Sequence, residues 1–134
     1  MTYLRSEAKL SWQWFNYSEL SVKDLHDLLA IRQLVFIVEQ ASIYLDADAF
    51  DKNSQHLCVR DVFSSRGVEG VKDIGPIIAY ARLIPPKIKA QEVIIGRILV
   101  EKSYRGDGLG SRLVEYCLDQ CNALFPTFNI RLSA

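Results

Sequence analysis

Two stretches of the chain carry apolar side chains at the spacing of an amphipathic helix. In the first, from residue 22 to about residue 38, the apolar positions are Leu25, Leu28, Leu29, Ile31, Val35, Phe36 and Val38. In the second they are Leu109, Leu113, Val114, Cys117, Leu118, Cys121, Leu124 and Phe125. Spacings of three and four place such positions on one face of a helix. Ser21 is a typical N-cap for the first helix, with Asp24 in the capping-box position, and Pro126 ends the second.

The remaining apolar stretches are rich in β-branched and aromatic residues, which is typical of strands. They are residues 12–17, 57–63, 77–84 and 127–132, together with the run that begins at Glu92. The glycine-rich residues 64–75 are predicted to form an exposed turn. Because the three central stretches follow one another, we expect an antiparallel meander. The pattern predicts an α/β (α+β) fold with a mixed, largely antiparallel sheet flanked by helices, in one domain of residues 1–134.

The charge balance argues against several kinds of partner. Sixteen basic and sixteen acidic residues cancel, and the chain has no block of like charges, so a nucleic-acid partner is not expected. No apolar run approaches the roughly 20 residues of a membrane span, so no membrane partner is expected either. Three cysteines without a metal-type pair, and a start without the apolar core of a signal peptide, favour a cytoplasmic protein with its cysteines in the core.

The sequence R-G-D-G-L-G, residues 105–110, lies between the fourth predicted strand and the second helix. A glycine-rich turn that opens a helix is typical of phosphate binding. A Walker loop would require a lysine after Gly110, where the chain has Ser111. A Rossmann turn would require a parallel βαβ unit, whereas these strands are predicted to be antiparallel. A third pattern, Arg/Gln-x-x-Gly-x-Gly/Ala, is met by Arg105, Gly108 and Gly110.

With this turn and this order of elements, the chain resembles the GNAT superfamily of acyl-CoA-dependent N-acyltransferases. Residues 32–40 (R-Q-L-V-F-I-V-E-Q), 79–83 (A-Y-A-R-L) and 95–100 (I-G-R-I-L-V) are similar to its ElaA-like group. The resemblance implies that acetyl-CoA is the co-substrate, and that a primary amine of a small molecule or peptide attacks its thioester directly. It also implies that the turn binds the pyrophosphate of coenzyme A and that a bulge in the preceding strand binds the pantetheine arm. The residues so implied are Ile98, Leu99, Val100, Arg105, Gly106, Asp107, Gly108, Leu109, Gly110 and Ser111.

Three residues are candidates for the catalytic base. Some family members place a glutamate early in the strand before the turn, but the corresponding position here is Ile94, and Glu92 is only its neighbour on the same face. Glu39 ends the first helix, where the acceptor would enter, and either binds or deprotonates the acceptor or fixes the loop by hydrogen bonds. His56 opens a strand and either relays a proton or is a hydrogen-bonded structural histidine.

Charged residues elsewhere admit structural interpretations. Arg82 and Arg97 lie in apolar strands, so each requires a partner: a structural ion pair is favoured over an anionic acceptor. Asp46, Asp48 and Asp51 lack the glycine and glutamate of a calcium loop, and are predicted to form a solvated acidic rim that favours a cationic acceptor. With two histidines in the chain, no metal site is expected.

The resemblance also bears on the end of the chain. GNAT domains normally continue past the fifth strand with a helix and two further strands, so we expect a C-terminally incomplete domain, with an edge that favours a homodimer. The alternative function is a non-catalytic acyl-CoA-binding or regulatory domain. A third interpretation is a synthase that acylates an amine to make a signal molecule, which would prefer long acyl chains.

Overall fold

The computed structural model describes residues 9–62 and 74–133. Its strands are β1 (Leu10–Asn16), β2 (Gln55–Asp61), β3 (Ile77–Ile84), β4 (Val93–Val100) and β5 (Ile130–Leu132). Its two α-helices in the described residues are α1 (Val22–Arg32), followed directly by a π-helical segment (Gln33–Glu39), and α2 (Leu109–Leu124). Three short 3-10 helices cover Tyr17–Glu19, Asp51–Asn53 and Lys102–Tyr104. The expected order of strands and helices is confirmed. The turn predicted over residues 64–75 lies mostly outside the described residues, as does Phe63.

The first helix begins at the predicted capping box. The Asp24 backbone nitrogen donates to Ser21 Oγ (3.0 Å), and the Ser21 backbone nitrogen donates to Asp24 Oδ2 (3.1 Å), so two of the unpaired donors of the first turn are satisfied. From Gln33 the backbone continues in π geometry, and the Gln40 nitrogen donates to the Val35 carbonyl. π-helical turns are frequent at functional sites. The helical stretch predicted from residue 22 to about 38 therefore forms, with its second half wound more loosely.

The five strands form one sheet in the order β1-β2-β3-β4-β5. The first three neighbouring pairs are antiparallel, and β4 and β5 are parallel. This confirms the mixed, largely antiparallel sheet. Both faces of its centre are buried, since Leu57 and Val59 pack on the α2 side and Cys58 packs on the α1 side. Burial on both faces explains why the central strands are continuously apolar rather than alternating.

Strand β4 changes its surroundings halfway along its length. Its first residues, Val93 to Ile95, pair with β5, whereas from Gly96 to Val100 it has no strand partner on that side within the described residues. The register against β3 shifts by one residue here, because Tyr80 pairs with Leu99 and Arg82 pairs with Gly96. The inserted residue is a β-bulge, and Arg97 in it has a left-handed φ of 51°. The expected bulge is therefore present, and it lies beside an opening in the sheet.

The three cysteines are free thiols, and all three are buried. Burial raises the pKa of Cys58 and of Cys117 to about 12 and that of Cys121 to about 11, so these thiols are not activated nucleophiles. This agrees with the core role predicted for them. None of the helices in the described part of the chain is long and apolar enough to cross a membrane.

Candidate active site

The predicted phosphate-binding turn forms a shallow cavity of about 350 Å³, which we call the glycine cradle. Gly106 and Gly108 have left-handed φ angles of 99° and 77°, which glycine adopts without strain. Gly108 is the N-cap of α2 and supplies no side-chain cap, so the first backbone N–H groups of α2 remain available to a ligand. The lining residues are Val100, Arg105, Gly106, Gly108, Leu109, Gly110 and Ser111.

The space above two of these glycines is empty. A Cβ atom built on Gly108 or on Gly110 would meet no atom within 4 Å. Glycine at such positions is therefore not required by packing inside the protein, and it suits the close approach of a ligand to the backbone. An anionic pyrophosphate fits here, because the N–H groups and the positive end of the α2 dipole favour negative charge.

Most of the predicted donor-site residues come together around this turn. Six of the seven turn residues line the glycine cradle, and Asp107 lies between Gly106 and Gly108 in the same turn. Val100 lines the cradle as well, whereas Ile98 lines a second cavity described below. The side chain of Leu99 points into the core on the α1 side, where it is 3% exposed. Leu99 can therefore contribute to a ligand site only through its backbone.

Arg105, the first residue of the motif, connects the turn to the first helix. Its Nε donates to the Val100 carbonyl at 2.8 Å, and its two terminal nitrogens donate to the two carboxylate oxygens of Glu39. The hydrogen bond from Arg105 lowers the pKa of Glu39. Glu39 therefore stays deprotonated at lower pH than an ordinary glutamate, and it is a weaker base.

A second cavity, of about 400 Å³, lies beside the bulge of β4, and we call it the acceptor cavity. Its lining residues come from the π-helical segment, the loop after it, the bulge and the end of β5: they are Phe36, Gln40, Ser42, Tyr44, Arg97, Ile98 and Ser133. Ile98 borders this cavity and Val100 borders the glycine cradle. The two cavities therefore border β4 at residues that are two positions apart. Both residues lie in the open half of β4, which we define as residues 96–100, where β4 has no partner on the β5 side within the described residues.

The acidic loop is not a solvated rim, and that prediction was wrong. Asp46 is 3% exposed and Asp51 is 6% exposed. Asp51 Oδ1 accepts from Arg32 Nη1 (2.7 Å) and from Arg82 Nη1 (2.9 Å), and Asp46 Oδ2 lies 2.9 Å from Arg32 Nε. Arginines on α1 and β3 therefore draw the loop inward, because a carboxylate can be buried when opposite charges and hydrogen bonds surround it.

Asp48 and Arg97 complete this buried network. Asp48 Oδ1 accepts from Arg82 Nη1 at 2.7 Å, and its Oδ2 accepts from Arg97 Nη2 at 3.3 Å. Burial raises the pKa of Asp51, but the hydrogen bonds and charge of Arg32, with a further hydrogen bond from Arg82, outweigh this and lower it. The structural ion pairs favoured for Arg82 and Arg97 are therefore confirmed. They attach the acidic loop, residues 46–51, to strands β3 and β4.

Comparisons with known proteins agree with this geometry. Residues 23–129 match the family model described as the acetyltransferase (GNAT) family. The chain belongs to the GNAT acetyltransferase family. It is 35% identical to a UPF0039 protein of Synechocystis over 94% of this chain and 75% of that protein. It is 33% identical to the protein ElaA of Escherichia coli over 93% of this chain and 75% of ElaA.

Solved structures extend the likeness to three dimensions. The crystal structure of an acyl-CoA N-acyltransferase from Pseudomonas aeruginosa is 31% identical, with a TM-score of 0.79 over 94% of this chain and 80% of that one. The crystal structure of Escherichia coli ElaA is also 31% identical, with a TM-score of 0.78 over 94% of this chain and 78% of that one. Both the fold and the ElaA-like resemblance are confirmed, and the family supports acyl transfer with acetyl-CoA as donor.

The two other predicted bases, Glu92 and His56, line neither of the two cavities. Glu92 precedes β4, about five residues or roughly 16 Å along the strand from the bulge, and its carboxylate lies 3.8 Å from Arg131 Nη1. Ile94, at the position where some family members have a glutamate, is 3% exposed. Glu92 thus lies just before the start of β4, in the half of the strand that pairs with β5, and not beside the bulge.

His56 is fully buried between two hydrogen-bond partners. Its Nδ1 lies 2.6 Å from the Tyr80 hydroxyl and its Nε2 lies 2.9 Å from the Asp51 carbonyl. Because a carbonyl only accepts, Nε2 carries the proton, and the Tyr80 hydroxyl donates to Nδ1. Burial lowers the pKa of His56. His56 therefore serves as a neutral link between β2, β3 and the acidic loop, and it lines neither cavity.

Several residues of the acceptor cavity were not found from the sequence. Gln40, Ser42, Tyr44 and Ser133 are polar residues in loops, and nothing in their local pattern separates them from ordinary surface residues. Only the position of residues 40–44 after a helix that ends near the glycine turn could have indicated them. Within residues 9–62 and 74–133, no group of three or more histidine, cysteine, aspartate or glutamate side chains could hold a metal ion.

Proposed function

We propose that the protein is an N-acyltransferase that moves the acetyl group of acetyl-CoA to a primary amine of a small molecule or peptide, by direct attack of the amine. One observation carries the proposal: the glycine cradle is empty above Gly108 and Gly110, at the N-terminus of α2. It also borders the half of β4 that lacks a strand partner on the β5 side among the described residues. Acetyl-CoA would supply the activated thioester.

The backbone of the glycine cradle would hold the pyrophosphate. Hydrogen bonds to charged groups contribute about 1.5–3 kcal/mol each, so a handful could supply the roughly 8 kcal/mol of micromolar binding before ordering costs. The backbone of residues 98–100, beside the bulge, would hold the pantetheine arm. Asp107 remains a proposed cofactor residue through its place in the turn.

The acceptor must lose a proton before it attacks. An amine with a pKa of about 10.4 requires roughly 4.6 kcal/mol to become neutral at pH 7. Of the three predicted bases, Glu39 contacts a lining residue of the glycine cradle, but that residue, Arg105, occupies both carboxylate oxygens of Glu39. We propose that Glu39 fixes Arg105, and that the acceptor enters as its neutral minor form or loses its proton to water.

The alternative, a non-catalytic acyl-CoA-binding domain, is favoured by one observation. None of Glu39, Glu92 and His56 lines the acceptor cavity among the described residues. A domain of this kind would bind acetyl-CoA in the same glycine cradle but would not release coenzyme A in the presence of amines. Three free, buried thiols suit the reducing interior of a cell, and we propose a cytoplasmic location for either function.

The two functions are separated by measuring acetyl-CoA binding and thiol release with the same protein. We expect calorimetry to show acetyl-CoA binding, and at least one member of a panel of primary amines to release coenzyme A. Gly108→Val should abolish both, because its side chain fills the cradle. Gly108→Asn should do the same without backbone strain, since asparagine tolerates a left-handed φ. Binding without thiol release would favour the alternative, and unchanged affinity in both variants would refute the assignment of the site.

A further inference from the structure

The acceptor cavity is lined by one charged side chain among the described residues, and that side chain is a cation. Arg97 is 22% exposed, whereas the other lining groups are apolar or are neutral hydroxyls and an amide. No carboxylate of the described residues lines the cavity. An ammonium group on a bound molecule would find no opposite charge there, whereas an anionic group would find hydrogen-bond donors.

The guanidinium of Arg97 is hydrogen-bonded to the described residues through Nη2 alone, and its buried Nε lies close to a carboxylate without a hydrogen bond. Its Nε lies 3.1 Å from Asp46 Oδ1, and its Nη2 donates to the Asp46 carbonyl (3.1 Å) and to Asp48 Oδ2 (3.3 Å). Its plane lies over the Tyr44 ring at 5.3 Å. The second terminal nitrogen, Nη1, makes no hydrogen bond to the described residues. A planar guanidinium that is held on one edge leaves preorganised donors on the other.

The aspartates that hold Arg97 are already occupied by other arginines. Asp46 also pairs with Arg32, and Asp48 also pairs with Arg82. Asp46 is therefore not available to a cation that enters the cavity. The network neutralises part of the charge on Arg97, but it does so from the Nε and Nη2 side and leaves the donors of Nη1 in place.

The backbone of Arg97 also indicates a functional position. A left-handed φ is uncommon for a residue with a long side chain and costs roughly 1–3 kcal/mol, and such residues concentrate at ligand sites. Here the strain turns Arg97 out of the β4 ladder at the bulge, between Gly96 and Ile98. The bulge thus places Arg97 at the wall of the acceptor cavity.

We propose that the acceptor is a small amine that also bears a carboxylate, and that Arg97 binds this carboxylate through Nη1. This inference rests on the proposed function and specifies its acceptor class. The volume of about 400 Å³ is within the range of small-molecule sites. The carboxylate selects and orients the molecule, and its amine is directed towards the open half of β4.

Matched pairs of acceptors test the proposal. β-Alanine and its amide, and γ-aminobutyrate and its amide, differ in the carboxylate alone, and kcat/KM for thiol release is compared after correction for the fraction of neutral amine. For wild type we expect each acid to be preferred over its amide by about tenfold or more. Arg97→Asn, which tolerates the left-handed backbone, should bring the ratio close to one. Arg97→Lys should retain part of it.

Two controls show that only the acceptor site has changed. The affinity for acetyl-CoA should be equal in wild type and both Arg97 variants. Lys23→Gln removes a positive charge from the exposed surface of α1, where Lys23 pairs with Asp27, and it should keep the full preference. Amides used as well as acids by wild type, or a preference unchanged in Arg97→Asn, would overturn the inference while leaving N-acyl transfer intact.

Failure of the proposed function gives a different result. In that case acetyl-CoA binds but no amine releases thiol, and the same pairs are compared by thermal shift of the protein saturated with coenzyme A. A rise in melting temperature with the acids alone, lost in Arg97→Asn, would support the carboxylate site without catalysis. No difference between acid and amide would overturn it.

Discussion

At the scale of single residues, the glycine cradle separates positions where glycine serves the fold from those where it serves a ligand. Gly75 belongs to the first kind, because a Cβ there would lie 2.1 Å from the Asp61 carbonyl oxygen. Gly110 belongs to the second, because it has space above it and no left-handed φ. A side chain at Gly110 is therefore compatible with the protein alone.

Gly110→Ala should uncouple stability from binding. Alanine is the better helix former, by up to about 1 kcal/mol, so the free energy of unfolding in urea should stay equal or rise. The added methyl group keeps a pyrophosphate away from the first N–H groups of α2. Loss of one charge-assisted hydrogen bond corresponds to an affinity about tenfold weaker or more, measured by calorimetry with acetyl-CoA.

The matched control is Gly96→Ala. Its Cβ would meet Ser133 Cβ at 3.5 Å, an ordinary contact outside the glycine cradle, so the affinity for acetyl-CoA should not change. If Gly110→Ala bound acetyl-CoA as tightly as wild type, the pyrophosphate would not lie against this turn.

At the scale of elements, the π-helical segment and the glycine turn are joined by one ion pair. Glu39 ends the segment, and Arg105 begins the turn while also binding the carbonyl of Val100 on β4. Three elements therefore meet at one guanidinium. This arrangement suits a residue that positions the turn rather than one that exchanges protons.

Glu39→Gln should weaken acetyl-CoA binding without affecting proton transfer. A solvent-exposed ion pair contributes little, so we expect KM for acetyl-CoA to rise by at most about fivefold. The pH dependence of kcat should keep its shape, because no base has been removed. Glu115→Gln, on the exposed face of α2, is the charge-matched control. If Glu39→Gln instead slowed turnover by roughly a hundredfold or more and removed the acidic limb of the profile, Glu39 would be the base after all.

The elements could be predicted from the sequence better than the site. The strand before residue 105, the turn and α2 are encoded locally, by apolar runs, glycines and helical spacing. The burial of Asp46 is not encoded locally, because its partners Arg32 on α1 and Arg97 on β4 are distant along the chain and only tertiary packing brings them together. The acidic residues of the loop indicated a solvated rim, because only their polarity can be read from the sequence. The acceptor cavity could not be predicted either, because its lining comes from residues 36–44, 97–98 and 133, which are far apart in the chain.

At the scale of the whole molecule, buried titrating groups connect the sheet, the first helix and the acidic loop. His56 links β2, β3 and the loop as a neutral imidazole. Asp51 links the loop to α1 and β3 as a carboxylate, and Asp24 caps α1 and pairs with Arg60 on β2. Each of these groups stabilises the folded protein in one protonation state only. The free energy of unfolding should therefore change with pH in separate stages, one for each kind of group.

Stability should fall in two stages as the pH decreases. Burial lowers the pKa of His56 below its ordinary value of 6.5, so below that pH the unfolded chain binds a proton that the folded chain does not. The loss approaches about 1.4 kcal/mol per pH unit for this one group. The pKa values of Asp24 and Asp51 are lowered from 3.8. Their contribution is therefore fully present above that pH and is lost only as the pH falls through their folded values.

Urea unfolding measured at intervals from about pH 7.5 to about pH 3 follows both stages, because the histidine stage begins below 6.5 and the aspartate stage begins only below 3.8. His56→Gln should lower stability throughout, since it disturbs the bonds to Tyr80 and to the Asp51 carbonyl, but it should remove the slope that begins below about pH 6.5. His26→Gln, at an exposed position of α1, should retain both stages. An equal slope in wild type and His56→Gln would mean that the imidazole is not held neutral by burial, and that another group makes the link between sheet and loop sensitive to acid.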